Sequence, residues 1–290
     1  MSPTPKALLG LPAPAKLNLF LHVIGRRADG KHLLQSVFIL IDRTDTVDLT
    51  ALPDNRIERT GDIIGTAEND LCVRAARLLK ETYSIKTGVR IHLTKRIPSG
   101  AGMGGGSSDA ATTLIGLNRL FGLNLTRETL MVLGEKLGAD VPFFIWGRSG
   151  FVEGIGEQIR PVDVPPATYA VIWPGVGIST AEIFASPNLT RDSESMTIAV
   201  FSGSVRDAWP RLFGRNDLQP VAEALEPRVT KALELLAQCT SPRMTGSGSA
   251  VFGIIPQNVQ TAAALPALPS EWIGFTVNSL AEHPLCAWLD

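Results

Sequence analysis

An α+β fold is what three features of the 290-residue sequence predict. A period-two apolar alternation runs from Ala15 to Val23, and helical spacing links Leu71, Ala75, Leu78 and Leu79. The two periodicities then follow each other irregularly along the chain, without the strict strand–helix–strand rhythm of a parallel sheet.

In the first segment Leu17, Leu19, Leu21 and Val23 share one face, with Lys16, Asn18, Phe20 and His22 on the other, so a strand with one apolar face is expected. Ser36–Ile41 and Thr46–Thr50 read as two further strands. The helix carrying Leu71 has an N-cap candidate in Asn69. Val89–Thr94 alternates as a strand, and Ala110–Phe121 is an apolar helical stretch. A helix is expected from Thr126, with Leu130, Leu133 and Leu137 as its buried stripe and Gly138 as a left-handed stop. Around Val162-Asp-Val-Pro-Pro the composition becomes turn-like. Thr168–Trp173 then begins a new strand, so the chain is divided into residues 1–160 and 161–290. The second part offers one helix from Pro220 to Gln238, then a glycine- and serine-rich loop at Arg243–Gly253 running into an apolar strand.

Composition narrows the function. A hydrophobic content of 44% and a net charge of −1 describe an ordinary globular protein, and dispersed basic residues argue against a nucleic-acid partner. Cys72, Cys239 and Cys286 are odd in number and far apart, so neither a disulfide framework nor a Cys-x-x-Cys metal site is expected, and a reducing cytoplasm fits. Leu17–Ile24 is interrupted by His22 and followed by no cleavage-like site. No stretch is long and apolar enough for a membrane span.

The most informative segment is Pro98–Ala111, which joins a strand to a helix. Gly100, Gly102, Gly104, Gly105 and Gly106 leave few side chains on it, so backbone N–H groups and a helix N-terminus can meet a phosphate. Familiar alternatives fail. Gly100, Gly102 and Gly105 fit G-x-G-x-x-G, but about 20 positions on, where an acidic residue is required, Arg119-Leu-Phe-Gly-Leu-Asn offers none before Glu128. Gly106 stands where a P-loop needs lysine, and neither H-R-D nor D-F-G occurs. A loop holding nucleoside triphosphate also needs a cation, a metal and a residue that readies a nucleophile. Lys16, with Asn18 about 7 Å along the same strand face, is either a solvated strand residue or the cation. Asp140, between a helix stop and Pro142, is either a cap or a carboxylate paired with Lys16 that accepts a substrate proton. Ser107 and Ser108 serve as N-caps or offer a hydroxyl to Mg²⁺ or a phosphate oxygen. The four histidines show no metal-ligand spacing.

Pro14-Ala-Lys-Leu-Asn-Leu, the glycine loop, Gly138-Ala-Asp-Val-Pro-Phe and Met244-Thr-Gly-Ser-Gly-Ser, in this order, resemble the GHMP kinase superfamily. Arg26-Arg-Ala-Asp-Gly-Lys-His and Asn216-Asp-Leu-Gln-Pro resemble its cytidyl-substrate branch, a kinase of non-mevalonate isoprenoid biosynthesis. The resemblance implies an N-terminal ribosomal-protein-S5-domain-2-like domain and a ferredoxin-like C-terminal one, with ATP and Mg²⁺ between them. On that pattern Asp140 is the general base and Lys16 orients it. Pro98, Ser99, Gly100, Ala101, Gly102, Met103, Gly104, Gly105, Gly106, Ser107 and Ser108 wrap the ATP phosphates, with Ser108 a candidate Mg²⁺ ligand. Gly246, Ser247, Gly248 and Ser249 close the cleft. Asn18, His32, Lys95, Thr180 and Phe184 fall near a small-molecule cytidyl diphosphate substrate, with His32 and Phe184 recognising or stacking on cytosine. A monomer or weak homodimer is expected. Lys31 stands where the family often has an aromatic wall, and Asp109 where it often has a neutral residue. A small homoserine- or mevalonate-like acceptor and a non-catalytic nucleotide sensor are the competing readings. The Arg26–His32 segment disfavours the first, and Lys16 with Asp140 the second.

Overall fold

The computed structural model describes residues 6–63, 65–256 and 264–289. In chain order the first part contains β1 (Ala7–Arg26), β2 (His32–Leu52), β3 (Ile57–Gly61), α1 (Leu71–Thr82), β4 (Gly88–Thr94), α2 (Gly105–Leu120), α3 (Arg127–Glu135), α4 (Val141–Trp146), β5 (Gly150–Glu153) and β6 (Gln158–Pro161). The second contains β7 (Thr168–Trp173), α5 (Thr180–Ala185), α6 (Ile198–Ala208), α7 (Gln219–Leu225), α8 (Pro227–Leu236), β8 (Arg243–Met244), β9 (Val251–Ile254) and β10 (Ile273–Leu280).

The hub is β2. It pairs antiparallel with β1 along almost its whole length, with β4 at one end and β5 at the other, while β3 lies parallel to β4. The end of β10 bonds β2 at Ile41 and Leu40, and β10 then pairs with β7, which is followed by β9 and β8, all antiparallel. The strands of the second part thus extend the sheet of the first.

Several elements differ from the sequence reading for identifiable reasons. The two strands expected at 36–41 and 46–50 are one, because the polar run Asp42-Arg43-Thr44-Asp45 does not end the strand. Opposite Pro14 and Ala15 the register jumps from Thr44 to Ile41, so the extra residues are absorbed as a bulge immediately before Lys16. The supposed polar face of β1 is buried too: Lys16 is 3% exposed, Asn18 1% and Phe20 0%. The cap of α1 is Asp70, not Asn69, its carboxylate accepting from the N–H groups of Cys72 and Val73. Gly138 is not left-handed, and α3 ends at Glu135; the left-handed stop belongs to Gly147, at the end of α4. The helix expected from Pro220 to Gln238 is broken because Glu226 precedes Pro227 and is forced into an extended conformation, from which its side chain caps α8.

Apolar packing fixes the position of the glycine loop. α2 is buried over most of its circumference, against β1 and β2 on one side and α1 and α4 on the other. A Cβ on Gly116 would lie 2.5 Å from Leu49 and 2.7 Å from Leu11, so the helix sits on the sheet as closely as glycine permits. On the opposite side of β1 and β2, Leu17, Leu19, Ile39 and Ile41 pack with Tyr169, Val171 and Phe252. The other face of β7, Ala170 and Ile172, is covered by Val221, Val229 and Leu236 from α7 and α8. The N-terminus of α2 is thereby held rigidly at the seam where the two parts of the chain meet.

Candidate active site

Gly100, Gly102 and Gly104 all have positive φ, at +67°, +73° and +72°. Left-handed residues at every second position fold the main chain into a tight concave turn, the kind that directs successive N–H groups toward an anion. Ala101 and Met103, between them, turn their side chains into the core as anchors, 2% and 1% exposed. Gly104 is the N-cap of α2, so the cradle opens directly onto a helix N-terminus with its partial positive charge. Together with β1, α4 and α5 it lines a cleft of about 500 Å³.

β1 supplies the cation. The backbone N–H of Lys16 donates to the carbonyl of Met103 at 3.0 Å, tying the strand to the loop. Its ammonium donates to Asn18 Oδ1, stands 4.8 Å over the Phe38 ring and lies 3.8 Å from Asp140 Oδ2. Burial pushes the Lys16 pKa down, and the Asp140 carboxylate opposes that shift. Asp140 occupies the N-cap position of α4, yet its side chain makes no capping bond and lines the cleft. The local capping explanation for this carboxylate therefore fails.

The second glycine loop lies against the first. Ser249 and Ala250 donate backbone N–H bonds to the carbonyls of Gly100 and Ala101, both at 3.2 Å. Thr245 Oγ1 accepts from the Asn18 N–H at 3.0 Å, and Asn216 Nδ2 donates to the carbonyls of Met244 and Gly246. Ser247 Oγ meets Thr180 Oγ1 at 2.7 Å. Gly246–Gly248 thus forms a wall of the cleft, with Ser249 buried behind it, and Asn216 is its strut.

Ser108 is fully buried and its Oγ has no partner among the described residues, while Ser107 lines the cleft. The structure brings His32 and Phe184 together. Their rings stack on each other at 4.8 Å, inclined by 23°, so a base cannot enter between them in this arrangement. Lys95 sits under the glycine loop, 3.3 Å from where a Cβ of Gly105 would be, with its ammonium held between Asp45 and the Asp109 Oδ2. Lys95, Thr180 and Phe184 all line the cleft. Lys31 is exposed in the hairpin turn that joins β1 to β2.

The same lysine explains Asp109, which would otherwise repel phosphate. Its carboxylate is buried and paired, with only Oδ1 lacking a partner among the described residues. Sequence reasoning missed this Asp45–Lys95–Asp109 group because its members are 50 and 14 residues apart. Burial, reinforced by Asp45 and opposed by Lys95, raises the Asp109 pKa to about 7. A carboxyl that keeps its proton in the folded state but loses it near the ordinary 3.8 when unfolded stabilises the fold at low pH. That contribution is complete below about 3.8 and is lost as pH rises through about 7. Asp109→Asn is expected to flatten this decline. Urea unfolding midpoints compared at about pH 5 and about pH 8 will differ less in the variant than in the wild type, and an unaltered difference would refute the assignment.

A glycine cradle on a helix N-terminus, faced by a buried lysine and a carboxylate and walled by a second glycine loop, defines a small-molecule kinase of the GHMP type. Residues 70–148 match the family model described as GHMP kinases N terminal domain, and residues 207–273 the one described as GHMP kinases C terminal. A curated protein of Polynucleobacter necessarius subsp. necessarius (strain STIR1), named 4-diphosphocytidyl-2-C-methyl-D-erythritol kinase, is 51% identical over 95% of this chain and 94% of its own length. A protein of the same name from Burkholderia mallei (strain SAVP1) is 47% identical over 99% of both chains. A crystal structure of 4-(cytidine 5'-diphospho)-2C-methyl-D-erythritol kinase superposes with a TM-score of 0.74 at 31% identity, covering 93% of this chain and 98% of that one. Homoserine kinase from Cytophaga hutchinsonii shares the fold alone, with a TM-score of 0.67 at 17% identity over 98% and 97% of the two chains. The chain belongs to the GHMP kinases, which are ATP-dependent phosphotransferases, and within them to the 4-diphosphocytidyl-2-C-methyl-D-erythritol kinase family.

Proposed function

We propose that the chain transfers the γ-phosphoryl group of ATP to the 2-hydroxyl of 4-diphosphocytidyl-2-C-methyl-D-erythritol, a step of non-mevalonate isoprenoid biosynthesis. The observation that carries the chemistry is the Lys16–Asp140 pair, 3.8 Å apart beside the cradle. The identity of the relatives carries the choice of acceptor.

In this reading the backbone of residues 100–106 and the N-terminus of α2 hold the ATP phosphates, with Gly246–Ser249 closing over them. Asp140 takes the proton of the attacking hydroxyl, and Lys16, fixed by Asn18, orients that carboxylate. Leu71, Cys72, Leu93 and Ile97, which line the cleft with Ile97 and Leu71 against Gly105 and Gly106, supply an apolar wall for the purine. Mg²⁺ bound to ATP would neutralise charge on the transferred group. No group of three or more His, Cys, Asp or Glu that could hold a metal is present among the described residues, so the phosphates would hold the ion with the hydroxyl of Ser107. The acceptor lies toward Thr180 and Phe184, with His32 reading the base. In this reading the chain acts as a monomer or weak homodimer and divides near residue 160. Unpaired Cys72, Cys239 and Cys286, and the absence among the described residues of any helix able to cross a membrane, fit a cytoplasmic setting.

The decisive test is an ATP-consumption assay with the cytidyl substrate, the same erythritol phosphate without its cytidyl group, homoserine and mevalonate. Turnover restricted to the first supports the proposal. Equal or better turnover of a small acceptor would replace it, and no turnover of any would return the chain to a nucleotide-binding role.

A further inference from the structure

Arg191 lies outside every motif that marks the cleft, in the segment after α5. Its guanidinium nonetheless makes four hydrogen bonds. Nη2 donates to the carbonyls of Phe184 and Ser186 at 3.0 and 2.7 Å, and Nη1 to that of Leu189 at 3.0 Å, so the side chain ties off the C-terminal end of α5. A fourth donor, Nε, points to His32 Nε2 at 3.1 Å. One side chain thus holds both members of the His32–Phe184 stack, the ring through its edge and the phenylalanine through its carbonyl.

The bond to His32 has a definite chemical sense. Arginine can only donate, so His32 Nε2 must accept, and the proton of the neutral imidazole has to reside on Nδ1. Burial, with the charges of Arg191 and Arg26, lowers the His32 pKa and keeps the ring neutral. Among the described residues Nδ1 has no hydrogen-bond partner, so the edge of the stack offers a single donor beside Phe184, which lines the cleft. A base presenting an acceptor there can be read and one presenting N–H is repelled. N3 of cytosine is an acceptor, while N3 of uracil carries a hydrogen.

We propose that Arg191 is a positioning residue that locks His32 in the Nδ1–H tautomer and thereby makes the site select a cytosine over a uracil base. This deepens the acceptor reading above and rests on it. Without the guanidinium the imidazole is free to move its proton to Nε2 and to turn, so either base can find a matching edge, and the carbonyls of α5 lose their donors.

Two measurements test this. The first needs no variant: nitrogen NMR of the wild-type protein labelled in histidine is expected to show His32 protonated on Nδ1 and bare on Nε2. An Nε2–H tautomer would overturn the proposal. The second compares kcat/KM for the cytidyl substrate and its uridyl counterpart in the wild type, Arg191→Gln and Arg191→Lys. Discrimination is expected to fall by about tenfold or more in Arg191→Gln, mostly through KM for the cytidyl substrate and with the tautomer signal lost. Arg191→Lys, which keeps one donor and the charge, is expected to restore part of both. A loss of stability that leaves the ratio and the tautomer unchanged would refute the role. If the wild type itself uses neither nucleotide, the acceptor reading fails, and the tautomer measurement still decides whether Arg191 sets the ring.

Discussion

Asp140→Asn is expected to lower kcat by about 10² to 10⁴ while the KM for ATP stays close to the wild-type value. The substitution keeps the shape of the side chain and removes its capacity to accept a proton. It also leaves the start of α4 intact, since the Asp140 side chain makes no bond to the helix N-terminus. Its side chain is 32% exposed and faces the cleft, so a hydroxyl can approach it, while the partner lysine is 4% exposed and held by Asn18. The variant leaves Lys16 without the carboxylate that opposes its burial, and the ammonium then releases its proton more readily. Both changes act on the proton and neither touches the cradle, which is built from backbone groups of residues 100–106. Steady-state kinetics with ATP titrated at saturating acceptor separates the two parameters. Retained kcat would remove Asp140 from the role of base. A parallel rise in both KM values with an unfolding midpoint below that of the wild type would assign it to structure.

The legibility of the cleft in the sequence follows from how local each device is. The cradle is local: five glycines between a strand and a helix have few other uses, and their φ values of about +70° at alternate positions are what those residues permit. Thr126, Pro142 and the β7 strand were equally readable, because capping, proline and period-two alternation act within a few residues. What escaped reading is set by partners distant along the chain. The run Asp42–Asp45 reads as a break by composition, yet there the strand bulges and Asp45 turns inward to hold Lys95 and the N–H groups of Arg96 and Ile97. The polar face of β1 reads as solvated, and it is buried because α2, Phe38 and the second loop cover it. Arg191 carries no pattern at all: an arginine in a polar loop acquires meaning only when folding brings His32, 159 residues away, to its Nε. Asn216 is intermediate, visible as part of a string but with a function set by carbonyls 28 and 30 residues on.

Replacing Gly102 with alanine is expected to disable the site from the opposite direction, through the main chain. Gly102 has φ of +73°, and a Cβ there would lie 2.3 Å from the Thr245 carbonyl oxygen and 2.8 Å from the Gly248 nitrogen. The obstacle is backbone, so no rotamer change relieves it, and Gly246 is equally constrained because its own Cβ would meet the Gly102 carbonyl oxygen at 2.5 Å. The left-handed conformation costs alanine roughly 1–2 kcal/mol, and forcing the two loops apart adds about 1–3 kcal/mol. Gly10 provides the matched control: its φ is +71°, but no atom lies within 4 Å of the added Cβ, so only the first cost applies. Gly102→Ala should therefore show a lower urea midpoint than Gly10→Ala and, unlike it, a large rise in the KM for ATP. Separating the loops displaces the N–H groups that Ser249 and Ala250 lend to Gly100 and Ala101, and the cradle loses its shape. Equal midpoints and an unchanged ATP KM in the two variants would mean that the loops part without cost, and that their contact does not shape the phosphate site.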